Sequence, residues 1–234
     1  MSLPFAPCQH RAIGGIFVRR VCWKLSRRGK LLVLGLLASI IVVVAWGGHS
    51  FLAVTDRMPA DLLIVEGWLP PYTLHQAAAE FRIGFYSRIL IVNPIYEAED
   101  GKPQLDTGSG DYLGRLLVKC GVPNSYVDTV VCSVARKDRT YHSALAARAW
   151  LKKQGITLKY INVATLGLHA RRSRLLYQKA FGKDVNIGVI ALEDRAYNSA
   201  HWWRYSEGVR EVIGEGIAYV YARIFFHPRD HRQS

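Results

Sequence analysis

Asp61-Leu-Leu-Ile-Val-Glu66 and Arg88-Ile-Leu-Ile-Val92 are short apolar runs with a helix-length amphipathic stretch between them. Four or five apolar residues in a row suit a strand buried on both faces, and alternation with helices is the pattern of a covered parallel sheet. Pro70 and Pro71 suit the start of the intervening helix, read as Thr73–Tyr86. The second strand is read as halted by Asn93-Pro94. The polar, Gly-containing segment 95–109 is then a loop long enough for a functional excursion or lid.

The alternation continues outward. A helix at Asp111–Cys120 is stopped by Gly121 with Pro123 behind it. A strand at Val127–Cys132 and a helix at Thr140–Gln154 follow, then a strand at Tyr160–Ala164, a helix at Ala170–Phe181 and a strand at Val185–Ala191. A last helix begins near His201, where Val209, Val212, Ile213, Ile217, Val220 and Ile224 form one apolar stripe. Right-handed crossovers make residues 61–226 an α/β domain, a Rossmann-like three-layer sandwich with a roughly five-stranded parallel sheet, ahead of a polar tail at 227–234.

Upstream, Leu31–Trp46 is an unbroken apolar run that continues to Val54 with only His49 and Ser50 strongly polar. That suffices for one transmembrane helix at 31–54, and the following sequence lacks a small-x-small cleavage site. Residues 1–30 carry seven Lys/Arg and no acid, which by the positive-inside rule makes them a basic cytoplasmic arm. The expected address is therefore the plasma membrane, single-pass, with the α/β domain extracytoplasmic beyond a short linker at 55–60. The bilayer is the first expected partner. Removing the arm from the net charge of +13 leaves 24 basic and 18 acidic residues on the remainder, without a reader motif, so nucleic acid is not expected as a partner. Cys8 and Cys22 fall on the reducing side. Cys120 and Cys132 are separated by the rise of a strand and are expected as two buried thiols.

In an open parallel sheet, ligands bind beyond the carboxyl ends of the strands. The sequence there supplies Glu66-Gly67-Trp68, Asn93, Arg139-Thr140 and Thr165 through Arg172. His169 and Arg172, three apart at a helix start, combine a titratable ring with a bidentate cation beside a positive dipole end, a good anion site. Thr140 is expected to cap its helix with Arg139 pointing into the cleft. Glu66 and His169 are the candidate acid and base. Trp68, Asn93, Arg139, Thr140, Thr165 and Arg172 are the candidate substrate-binding residues. Arg171, Arg172 and Arg174 read equally well as ordinary helix charges, and Trp202 and Trp203 as packing. No G-x-G-x-x-G, Walker loop, G-x-S-x-G or H-E-x-x-H occurs, and the eight His lack metal-ligand spacing, so neither metal nor cofactor is expected.

Ala60-Asp61 with Ile64-Val65, Gly121-Val122-Pro123, Arg139-Thr140 with Ser143-Ala144, and His169-x-x-Arg172 occur in an order that resembles the YdcF-like proteins, including the SanA and ElyC envelope proteins. The resemblance covers roughly 61–223. It implies a Rossmann-like fold, an amino-terminal anchor and a role in bacterial cell-envelope biogenesis, in peptidoglycan or lipid-carrier metabolism. Where relatives have a glycine-rich end to strand one, this chain has Glu66-Gly67-Trp68-Leu69-Pro70; Asn93-Pro94-Ile95 and Thr165-Leu166-Gly167 also depart. The basic side chains remain while the backbone cradles for a phosphate are partly lost. Two functions follow as expectations. One is binding or processing of a phosphorylated envelope intermediate, with Arg172→Ala abolishing binding but sparing the fold. The other is a non-catalytic scaffold or regulator that binds envelope proteins.

Overall fold

The computed structural model describes residues 12–13, 17–18, 26–97, 103–105, 112–134 and 138–228. The chain divides into two compact units between Val43 and Val44. The first contains a two-residue antiparallel ladder, Ala12–Ile13 with Phe17–Val18, and most of helix α1, Arg27–Leu52. Ser26 caps α1 by accepting from the Gly29 amide at 3.1 Å. Twenty-six residues make a helix of about 39 Å, long and apolar enough to cross a membrane. It starts four residues before the apolar run and leaves Ala53 and Val54 outside the helix. Cys8 and Cys22 lie outside the described residues.

The second unit is built on β1 (Leu62–Glu66), β2 (Arg88–Glu97), β3 (Val127–Val134), β4 (Tyr160–Leu166) and β5 (Asn186–Leu192). These pair in parallel in the order β3-β2-β1-β4-β5. Helices α2 (Leu74–Ile83) and α3 (Tyr112–Lys119) cover one face of the sheet, and α4 (Arg139–Lys153) and α5 (Ala170–Phe181) the other. Successive strand residues point to opposite faces, and here both are apolar. Leu63, Val65, Ile89 and Ile91 pack with Leu74, Phe81, Leu113 and Leu117, while Leu62, Ile64, Leu90 and Val92 pack with Ala144, Leu151 and Tyr177. Truncating any of these wholly buried Leu or Ile to Ala costs roughly 2–5 kcal/mol. The chain leaves β1 toward β2 and later returns on its other side at β4, so the order reverses between β1 and β4.

Several boundaries differ from those read in the sequence. Strand β2 runs through Asn93-Pro94 to Glu97, because beyond Val92 it has lost β1 as a neighbour and a proline is tolerated where a strand has a free side. Ile95–Glu97 instead pair antiparallel with Pro103–Leu105, so part of the expected loop is a short ladder; residues 98–102 and 106–111 lie outside the described set. Helix α2 ends at Ile83 rather than Tyr86, since Phe85 takes a left-handed conformation after Gly84. Gly121 closes α3 as expected, with φ +90° and the Val122 amide reaching back to Leu117. The final helix, α6, spans Ser206–Ile224 behind a separate 3-10 segment, Ser199–Arg204. Cys120 and Cys132 are free, but only Cys132 is buried.

Residues 55–60 are tied firmly to the sheet. Asp56 bridges Val189 on β5, Arg57 donates twice to buried Glu80 at 2.8 and 2.7 Å, and Asn162 clamps the Met58 backbone. The Tyr86 hydroxyl joins this cluster, donating to Glu80 and accepting from Asn162; burial pushes its pKa to about 12.

Gly67 shows why the turn after β1 has no side chain. A Cβ there would sit 2.5 Å from the Val92 carbonyl oxygen and 2.6 Å from the Asn93 Cα, both backbone atoms that cannot swing away. Gly67→Ala is predicted to cost about 2–3 kcal/mol and lower Tm by roughly 5–10 °C, read by thermal unfolding of the full chain in detergent. An unchanged Tm would mean the turn has room that the packing denies.

Candidate functional site

The reversal between β1 and β4 places Glu66 and Thr165 side by side at the strand ends. Glu66 is 1% exposed, and its carboxylate accepts three hydrogen bonds. The Thr165 hydroxyl donates at 2.5 Å, the Trp68 indole at 3.0 Å and the Ser173 hydroxyl, from the first turns of α5, at 3.1 Å. Burial pushes the Glu66 carboxyl above its ordinary range, while Thr165, the Arg172 charge, Ser173 and Trp68 pull it back.

Beside this cluster lies a second one. Arg172 donates through Nε to Glu215 of α6 at 2.7 Å and through Nη2 at 3.0 Å, a bidentate pair. The same Nη2 lies 2.8 Å from His169 Nδ1, and Glu215 Oε1 is 3.1 Å from that nitrogen. One ring nitrogen cannot both donate to Glu215 and accept from Arg172. Desolvation, opposed by Glu215 but aided by the Arg172 charge, lowers the His169 pKa to about 4. The ring is therefore neutral near pH 7, Nδ1 accepts from the permanently charged guanidinium, and the proton sits on Nε2. The Trp68 ring packs edge-on against the imidazole at 4.6 Å between centroids.

A cavity of about 430 Å³ opens over these groups. Trp68, Arg139, Thr140, His169 and Arg172 line it, so five of the eight residues picked from the sequence share one space. Glu66, Asn93 and Thr165 are buried beneath and are not among the lining residues. Asn93 lies inside β2 against Gly67 rather than at a strand end. Helix α4 begins at Arg139 with Asp138, in a left-handed conformation, as its N-cap residue, so Thr140 is a first-turn residue and not the cap. The lining also includes Pro94, Asp138 and Ser143 and, as its apolar part, Leu176 of α5, Ala218, Tyr221 and Ala222 of α6, and Phe226.

Ser173 and Glu215 escaped the sequence reading. Ser173 follows His169 by four residues and so shares its helix face, a spacing that could have flagged it. Glu215 sits in what reads as an apolar helix, and only the fold brings it to Arg172. The neighbouring arginines have other tasks. Arg171 lies over the Phe51 ring and donates to the Phe51 carbonyl, while Arg174 pairs with Asp56 at 2.7 Å. Trp202 is buried as expected of a packing residue, but Trp203 is exposed.

Compared with protein-family models and with curated proteins, the chain matches none.

Arg172 and Glu215 are both largely buried, so Arg172→Ala, read from the sequence as sparing the fold, is predicted here to destabilise it. It should cost about 3 kcal/mol by stranding the carboxylate, whereas Arg172→Met with Glu215→Leu should recover most of that loss in urea unfolding. A single change without effect would show the pair to be no support. His169 gives a second test, because its folded pKa lies below its unfolded value of about 6.5. Wild type should lose stability relative to His169→Gln as pH falls from about 6.5 toward 4, with an NMR titration midpoint for the ring near 4. A midpoint at or above 6.5 would instead mark a charged ring paired with Glu215.

Proposed function

We propose that this chain is a membrane-anchored, extracytoplasmic protein of YdcF-like type that acts in bacterial cell-envelope biogenesis by binding the head of a phosphorylated lipid carrier. The observation that carries the reading is the mixed lining of the cavity. Arg139, Thr140, His169 and Arg172 at the starts of α4 and α5 line it together with Leu176, Ala218, Ala222 and Phe226. Hydrogen-bond donors at helix amino termini suit a phosphate, and the apolar part of the same lining suits the first carbons of a prenyl chain. In this reading α1 crosses the plasma membrane with the basic arm in the cytoplasm, and the anchor keeps the cavity beside a substrate that never leaves the bilayer. The order of sequence motifs shared with YdcF-like proteins supports the same assignment.

Two observations favour binding without turnover as the second reading. Glu66 lies off the cavity, so it can only position Trp68 and Arg172, and Arg172 is already held by Glu215. Of the candidate acid and base, only His169 lines the cavity, and a ring protonated on Nε2 is a donor rather than a ready base.

The full chain in detergent should bind farnesyl phosphate more tightly than farnesol or inorganic phosphate alone. Arg139→Ala, a change at an exposed position, should weaken the phosphate ligand at least tenfold and leave farnesol unaffected, measured by titration calorimetry. Equal affinity in the variant, or no preference for the phosphorylated ligand, would sink the reading. Phosphate released from farnesyl pyrophosphate would favour the enzyme over the binder.

A further inference from the structure

Helix α6 is inverted relative to a helix bathed in water. Its apolar residues form the single stripe read from the sequence, but of these only Val212 is buried and Val209 partly so. Ile213, Ile217, Val220 and Ile224 are between 49% and 67% exposed and follow one another at helical spacing. Tyr221 and Phe225 extend the same exposed surface. Glu215 turns inward to Arg172 and His169, and Glu211 is half-buried. Gly208 and Ala222 let the polar side approach the domain, with the Trp202 carbonyl oxygen so close to Gly208 that a Cβ there would lie 2.5 Å from it. A solvated helix places its acids outside and its Ile and Val inside. The outer face of α6 therefore meets something other than water.

The last turns of α1 identify it. Residues 44–52 belong to the same compact unit as α6 and pack upon it. The Trp202 indole donates to the Ala45 carbonyl at 3.2 Å, Gly48 lies against Val212, and the Phe51 ring meets Tyr219 edge-on at 5.7 Å. Helix α6 therefore packs on the last turns of α1, where the apolar run of that helix ends. Trp203, Tyr205, Tyr221 and Phe225, with Arg204, Arg210 and Arg223 all exposed, supply the aromatic and cationic composition of that boundary.

We infer that the outer face of α6, from Ile213 to Ile224, lies in the lipid headgroup region of the membrane, so that the domain is docked on the bilayer rather than hung from it. The inner side of the same helix supplies Ala218 and Ala222 to the cavity lining, and Tyr221 lines it from the edge of the exposed face. The cavity mouth thereby sits at lipid level, and an amphiphile can enter from the leaflet without passing through water. The inference needs α1 to span the membrane but does not depend on which ligand the cavity takes.

The test is spin-label accessibility on the full chain in phosphatidylethanolamine/phosphatidylglycerol vesicles. Cys8, Cys22 and Cys120 are replaced by Ser, and buried Cys132 is kept. Labels are placed singly at Ile217→Cys and Val220→Cys, with Val42→Cys on α1 as the lipid reference and exposed Lys183→Cys as the water reference. The ratio of oxygen to nickel-chelate collision at positions 217 and 220 is expected to be several-fold above that at 183 and to approach that at 42. A ratio equal to that at 183 overturns the docking. Exclusion of both reagents at 217 also overturns it and marks a protein partner, with crosslinking between 217 labels identifying a second copy. If position 42 itself is open to nickel, the span fails and this inference falls with it, while farnesyl phosphate binding in detergent stands or falls separately.

Discussion

A carboxylate buried at the end of the central strand has to be compensated where water cannot reach, and the Glu66 carboxylate is 1% exposed. Its compensation comes from four groups on three elements. Thr165 lies on the neighbouring strand β4, Ser173 is the fourth residue of α5, Trp68 follows the Gly67 turn, and the charge of Arg172, also on α5, acts from nearby. The three hydrogen bonds fix three different elements, so the register of β1 with β4, the placement of α5 and the path out of β1 are all referred to one group. Arg172 in turn requires Glu215, which draws α6 onto the carboxyl ends of the strands. The cavity is the space left over this linked set of polar side chains.

That arrangement settles what α6 can bury. The face it turns to the domain must carry Glu215 and must be slender enough to approach, which accounts for Gly208 and Ala222. With the inner face committed to charge and small residues, the Ile and Val of the helix are left outside. Apolar exposure along the helix is thus the counterpart of polar burial beneath it, and the two stand or fall together. A bilayer surface resolves the remaining cost, since lipid accepts the outer face without asking for a shape-matched partner.

The sheet was legible because its strands are read locally. Leu62–Val65 and Ile89–Val92 are apolar on both faces whatever their neighbours, Ile161–Ala164 departs from that only at Asn162, and Gly121 announced the end of α3 at the residue where φ turns positive. Five of the eight chosen site residues meet in one cavity because strand ends and helix starts converge there in any doubly wound sheet. What escaped depends on pairing at a distance. The continuation of β2 through Pro94 follows from the loss of a neighbour at Glu66, which no local pattern records. The stripe on α6 was visible, but which way it faces depends on Glu215 finding Arg172 forty-three residues earlier in the chain. Periodicity gives the faces of a helix and leaves their assignment to the partners.

The chemistry of the cavity follows from the same pairing. Were Arg172 free, it would be the natural anchor for an anion. Held by Glu215, it instead directs an N–H at His169 Nδ1 and so leaves the ring proton on Nε2. The cluster thus spends its positive charge internally and passes on a hydrogen-bond donor. With Arg139 and Thr140 at the start of α4, the polar lining is rich in donors, and Asp138 beside them offsets part of its positive charge. In the proposed reading the donors suit an acceptor-bearing head such as a phosphate ester, while Leu176, Ala218, Ala222 and Phe226 in the same lining suit a ligand whose other end is hydrocarbon. A small free anion would use only the first set and a free isoprenoid only the second, so an amphiphile is the ligand that would use both.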